Sequence, residues 1–181
     1  QTSANVAYQD GNVRITMIAD GAARLEYAPD GKFVDNKSQV AVIRDYAPVS
    51  YKVSDKSKTV RISTDAMTIT YVKGKGPFTS ANLSIVSAKK KGALPFSWKP
   101  GQKDDGNLKG TYRTLDGYDG DLRNGKPRPI EDGVLSKSGW TLINDSKSYL
   151  FDRSEWPWVE ERPDTTKAQD WYFLAYGHDY K

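Results

Sequence analysis

The 181-residue chain contains no cysteine and a single histidine, His178. The first absence rules out disulfides and thiolate metal sites, and the second rules out a multi-histidine metal centre. Long apolar runs are missing too. Nothing approaches the ~18–20 consecutive apolar residues that cross a bilayer, so no membrane span is expected. Helical periodicity of any length is absent, which argues against bundles and against βα alternation. Charge of one sign is scarce as well: the net +4 comes from scattered lysines and the short run Lys89-Lys90-Lys91. Such a run reads as a solvated turn. With no recognition helix and no RNP-like aromatic strand beside it, a nucleic-acid partner is not expected.

What is present fits one domain, residues 1–181. Hydrophobic residues make up 37% and aromatics 12%, which supports a core in a chain long enough to bury about 70% of the surface its unfolded form exposes. Val13, Ile15 and Met17 alternate over 12–18, and Leu25 and Tyr27 over 23–28, with Ala19-Asp20-Gly21-Ala22 as the turn between them. The same period continues over 38–43, 59–63, 67–72 and 82–87, punctuated by Asp30-Gly31, the polar cluster 54–58 and Gly74-Lys75-Gly76-Pro77. Farther on, 140–144 and 148–151 read as a hairpin across Asp145-Ser146-Lys147, and 171–176 reads as a last apolar strand. Strands joined by short turns predict an all-β, mostly antiparallel β-sandwich.

Residues 107–145 break this rhythm. Most of the stretch is too rich in Gly, Pro, Asp and Asn for a helix or an ordinary strand, and a loop of about 30 residues is far above the usual ~4–6. Tyr112, Leu115, Tyr118, Ile130, Val134, Leu135 and Trp140 recur along it. These apolar anchors make it an ordered excursion on the rim of the sandwich rather than a disordered linker.

The same stretch carries a resemblance. Asn107-Leu108 with Gly110-Thr111, Arg113-Thr114-Leu115-Asp116-Gly117, Asp132-Gly133-Val134-Leu135-Ser136, Ser138-Gly139-Trp140 and Asp145-Ser146 resemble the N-terminal domain of glycoside hydrolase family 31, which contains α-glucosidases and α-xylosidases. Arg24-Leu25-Glu26-Tyr27-Ala28-Pro29-Asp30-Gly31, Asp170-Trp171-Tyr172-Phe173 and Tyr176-Gly177-His178-Asp179-Tyr180 fit in order. The resemblance implies a galactose-mutarotase-like sandwich whose (β/α)8 catalytic barrel follows it in a longer enzyme. It also implies that the nucleophile and the acid/base lie in that barrel, so this chain alone is expected to be inactive and to hold no catalytic residue.

Carboxylates cluster in and beside the excursion, but in a glycine-rich loop they commonly bind their own backbone. Asp116-Gly117-Tyr118-Asp119-Gly120-Asp121 has the wrong spacing for an EF-hand, since Tyr118 and Gly120 would fall at ligand positions. No metal and no cofactor is therefore assigned. Ser136 and Ser138 have no basic partner in sequence and read as turn or cap residues. Trp140 and Trp171 sit in strand patterns and belong to the core. Tyr112, Tyr118, Trp156 and Trp158 lie in Pro-, Gly- and charge-rich surroundings that place them on the surface.

Two functions follow as expectations. In the first, the chain is the non-catalytic domain of an α-glycosidase that packs on the barrel and lends the excursion, with Arg113, Asp116, Tyr118 and Asp119, to the substrate-pocket rim. In the second it is a self-sufficient carbohydrate-binding module with Tyr118, Trp156 and Trp158 as stacking platforms. The polar start Gln1-Thr2-Ser3 is compatible with a mature end left by signal cleavage, and a periplasmic or secreted bacterial protein is expected.

Overall fold

The computed structural model describes residues 5–89, 94–110, 122–123, 126–127, 130–163 and 166–177. Every regular element among them is a strand: β1 (Val6–Gln9), β2 (Val13–Ala19), β3 (Ala22–Tyr27), β4 (Lys52–Asp55), β5 (Thr59–Ser63), β6 (Met67–Val72), β7 (Leu83–Ser87), β8 (Ser97–Trp98), β9 (Leu122–Arg123), β10 (Lys126–Pro127), β11 (Trp140–Asn144), β12 (Leu150–Phe151), β13 (Val159–Glu160) and β14 (Gln169–Ala175). The first sheet has the order β1-β2-β3-β14-β11 and the second β4-β5-β6-β7-β8, and all neighbours are antiparallel. The all-β, antiparallel, sandwich-like fold expected from the alternation is the one observed. No described helix is long and apolar enough to cross a membrane.

The alternation explains the core. In a strand every second side chain shares a face, so Val13, Ile15 and Met17 of β2 join Ala23 and Leu25 of β3 and Phe173 of β14 on the inner side of the first sheet. There they meet Val60, Ile62, Met67, Ile69, Leu83 and Ile85 of the second, all buried. Trp98 ties the two sheets together: its ring centroid lies 4.9 Å from Phe173 and 6.2 Å from Trp140. Trp140 is buried as expected, whereas Trp171 is only half-buried, edge-on to Trp98 at 6.4 Å.

The outer face of the first sheet is less ordinary. Thr16, Arg24, Glu26, Asp170 and Tyr172 occupy its polar phase and are nevertheless buried. Segment 28–50 and the β12–β13 ribbon fold over them. Arg24 Nη2 donates to the Val34 carbonyl at 2.8 Å, Phe151 N–H donates to the Lys37 carbonyl at 2.8 Å, and Arg44 bonds the Tyr172 hydroxyl.

This cover corrects two expectations. Residues 38–43 are not a strand. Ser38 makes only an isolated bridge to Leu150, and its hydroxyl donates to Asp145 Oδ2 at 2.7 Å while accepting the Ala41 N–H, a local bond that competes with a ladder. Val40, Val42 and Ile43 consequently point to solvent. Nor do 140–144 and 148–151 form a hairpin. Asn144 pairs with Trp171 and Asp145 N–H donates to the Asp170 carbonyl, so β11 stays on β14 to its end. The chain then crosses to the outer face, where Leu150 pairs with Glu160. Strands β1, β4 and β8 were not legible in the sequence; β4 is exposed along its whole length and carries no alternation.

Candidate functional site

The excursion leaves the sandwich through two feet that are stapled to each other. Leu108 N–H donates to the Leu135 carbonyl at 2.9 Å and Gly110 N–H to the Glu131 carbonyl at 2.8 Å, while Asn107 and Ser136 form a bridge. The Asn107 carboxamide completes the staple, accepting the Gly133 N–H and donating to the Gly133 carbonyl, each at 2.9 Å. Asp104 Oδ1 accepts both Ser136 Oγ at 2.6 Å and Ser138 Oγ at 2.8 Å, a turn role that agrees with the reading drawn from their lack of a basic partner in sequence. A Cβ on Gly133 would lie 2.7 Å from the Lys109 carbonyl oxygen, so glycine is what lets the feet approach so closely. Between the feet, β9 pairs with β10.

This stem carries apolar side chains outward. Leu108, Ile130, Val134 and Leu135 are 44–55% exposed. Beside it, an open groove follows the free edge of β11 and is lined by Val40, Val134, Leu142 and Tyr149, with Lys109 and Asp132 on its bank. Arg113, Asp116, Tyr118 and Asp119 lie outside the described residues, as do Tyr112 and His178.

A second feature is the tip of the β12–β13 ribbon, where Trp156 is 80% and Trp158 75% exposed. The tip is held by Asp152. Its Oδ1 accepts Ser154 N–H at 3.1 Å, Ser154 Oγ at 2.6 Å and Trp158 N–H at 3.1 Å, while Asp152 N–H donates to the Trp158 carbonyl at 2.9 Å. Those hydrogen bonds, led by the Ser154 hydroxyl, hold the Asp152 carboxyl below its ordinary range. Two large rings are thus kept in solvent by an ordered turn, which agrees with the surface position read from their polar, Pro-containing surroundings.

Under the cover lies a buried charge network that the sequence did not announce. Four arginines (Arg14, Arg24, Arg44, Arg162) face three buried carboxylates (Glu26, Asp145, Asp170), and the exposed Asp35 joins the set through Arg14. Arg24 grips Asp170 through two 2.8 Å bonds, and Arg162 Nη1 adds a third at 3.1 Å. Arg14 grips Glu26 in the same bidentate way, at 2.7 and 2.9 Å. Burial pushes the Asp170 carboxyl up, but the Arg24 hydrogen bonds and the Arg24, Arg162 and Arg44 charges outweigh it and hold it below the usual carboxylate range. For Glu26 burial wins over Arg14 and Arg24, and its carboxyl is raised. Burial and the nearby Arg24 charge lower Arg44. This set of paired charges holds loop to sheet.

The network was missed because its members occupy the polar phase of ordinary strands, where a charged residue reads as solvent-facing. A charge of opposite sign on neighbouring strands, Arg14, Arg24 and Glu26, was the available signal. No protein-family model matches the chain, and no curated protein matches it.

Proposed function

We propose that the chain is the non-catalytic N-terminal β-sandwich of a family 31 glycoside hydrolase, that it packs on a following catalytic barrel, and that it lends the excursion of residues 107–145 to the rim of the substrate pocket. The observation that carries this reading is the stem: both of its feet are tied down, yet Leu108, Ile130, Val134 and Leu135 stay exposed. Apolar side chains clustered on an ordered scaffold mark a surface that another body covers. The groove beside the stem, with Val40 and Tyr149, extends that surface. Arg113, Asp116, Tyr118 and Asp119 fall between the feet and are the candidates for the rim. The parent enzyme would cleave α-glucosidic or α-xylosidic bonds with two carboxylates supplied by the barrel.

Hydrogen exchange tests the docking. In a longer protein that includes the downstream domain, the amides of Leu108, Gly110 and Leu135 are expected to exchange markedly more slowly than in the 181-residue chain. Val134→Asp is expected to weaken that protection and to lower hydrolysis of an aryl α-glucoside by the longer protein. Equal protection with and without the downstream domain would refute the reading. A second reading, a carbohydrate-binding module, is favoured by one observation, the Trp156 and Trp158 rings held in solvent by Asp152.

A further inference from the structure

A cavity of about 370 Å³ opens on the outer face of the first sheet, between segment 28–36 and the β12–β13 ribbon. It is separate from the stem and its groove, and its size lies at the small end of the ~300–1,000 Å³ typical of small-molecule sites. Its floor is the buried charge network, presented by Glu26, Asp170 and Arg162. Its rim is a chain of planar polar groups. Arg153 Nε donates to Asn36 Oδ1 at 3.2 Å, and Asn36 Nδ2 donates to Glu160 Oε1 at 3.0 Å. Phe33, Leu150 and Pro163 supply apolar wall between rim and floor.

The lining selects a ligand class. Six carboxylates (Glu26, Asp30, Asp35, Glu160, Glu161, Asp170) and three cations (Lys32, Arg153, Arg162) line it; Arg14 and Arg24 neutralise Glu26 and Asp170 from behind, so the excess negative charge rests on the exposed rim, where it disfavours phosphorylated or acidic ligands. The floor carboxylates already have arginine partners within the protein, at 2.7–3.1 Å, which leaves them little to gain from a cation. A neutral ligand with adjacent hydroxyls matches what remains. Each hydroxyl can donate to a carboxylate oxygen and accept from a guanidinium or carboxamide N–H, and the ring's C–H faces can lie on the apolar wall. The geometry points to a neutral pyranose, one or two sugar units long, bound between Asn36, Arg153 and Glu160. Trp156 and Trp158 stand exposed on the same ribbon, between Arg153 and Glu160 in the chain, and are the rings available to a second sugar unit. The ligand class comes from this lining and does not depend on whether the domain docks on a barrel.

The test is an NMR titration of the 181-residue chain with D-glucose, D-xylose and maltose, with spermidine as the cationic control. One of the sugars is expected to shift the amides of Asn36, Arg153 and Glu160. Glu160→Gln and Arg153→Ala, both at exposed positions and therefore compatible with folding, are each expected to weaken binding about tenfold through the lost charged hydrogen bond. Trp156→Ala should weaken maltose more than the monosaccharides. The pocket is overturned by the absence of shifts at these three residues across the titration, by tighter binding of spermidine than of any sugar, or by sugar binding that Trp156→Ala abolishes and Glu160→Gln leaves intact. Docking on a barrel changes none of these outcomes, so failure here and failure of the docking reading are separately visible.

Discussion

Asp170 and Glu26 sit on neighbouring strands of the same buried network but titrate in opposite directions, and substitutions separate them. Asp170→Asn removes the carboxylate that Arg24 and Arg162 share, leaving them only Glu26 and Asp145, and is expected to cost about 3–5 kcal/mol, measured by urea denaturation. The sign of the pH dependence follows from the lowered Asp170 value. The unfolded chain takes up a proton first as pH falls through ~3.9, so the stability Asp170 contributes is present above that range and is lost as pH falls through its folded value. The variant should therefore show a shallower acid limb. Glu26 behaves in reverse. With its folded value raised, its contribution is present below ~4.3 and is lost as pH rises through the folded value, a decline that Glu26→Gln should remove. An unchanged acid limb in Asp170→Asn would contradict the charge assignment.

At the scale of elements, the stem and the ribbon tip are held by short-range bonds rather than by burial. Gly133→Ala places a methyl against the Lys109 carbonyl, so the feet must separate. The expected cost is on the order of 1–3 kcal/mol, with faster exchange of the Leu108 and Gly110 amides and little change in the core. If those two amides kept wild-type protection, the close approach would not be what holds the stem. Asp152→Ala removes the acceptor shared by Ser154 and Trp158, and both amides are expected to exchange faster while the Trp156 and Trp158 fluorescence becomes more accessible to quencher. Unaltered quenching would show that the Trp156-Pro157-Trp158 backbone is stiff without the aspartate.

The whole molecule is organised by one core shared between two five-stranded sheets. Phe173 lies within ring contact of Trp98, Phe96 and Trp140, and so belongs to both sheets at once. Phe173→Ala is expected to cost about 3–5 kcal/mol and to move far-UV dichroism and tryptophan fluorescence together, because neither sheet has a second core to fall back on. Two separated transitions would mean that the sheets unfold independently. What the sequence determined by itself was the phase of each long strand: Val13, Ile15 and Met17 alternate with polar residues, and a period of two leaves only one face to bury. The exposed Trp156 and Trp158 were legible for a related reason, since a Pro-interrupted, charged stretch has no ladder to hide them in. The outer face was not legible. Arg24, Glu26 and Asp170 are 146 residues apart at the extremes, and nothing local distinguishes a charge facing water from one facing an opposite charge. Only when segment 28–50 and the β12–β13 ribbon close over β3 and β14 do those residues lose solvent, find partners and leave a lined cavity between cover and sheet. Tertiary structure also decided the fate of 38–43 and 148–151. The pattern of 38–43 suited a strand and that of 148–151 a hairpin with β11, but the buried Asp145 holds Ser38 and Arg162, and the chain crosses to the outer face, where Leu150 and Phe151 pair with β13 instead.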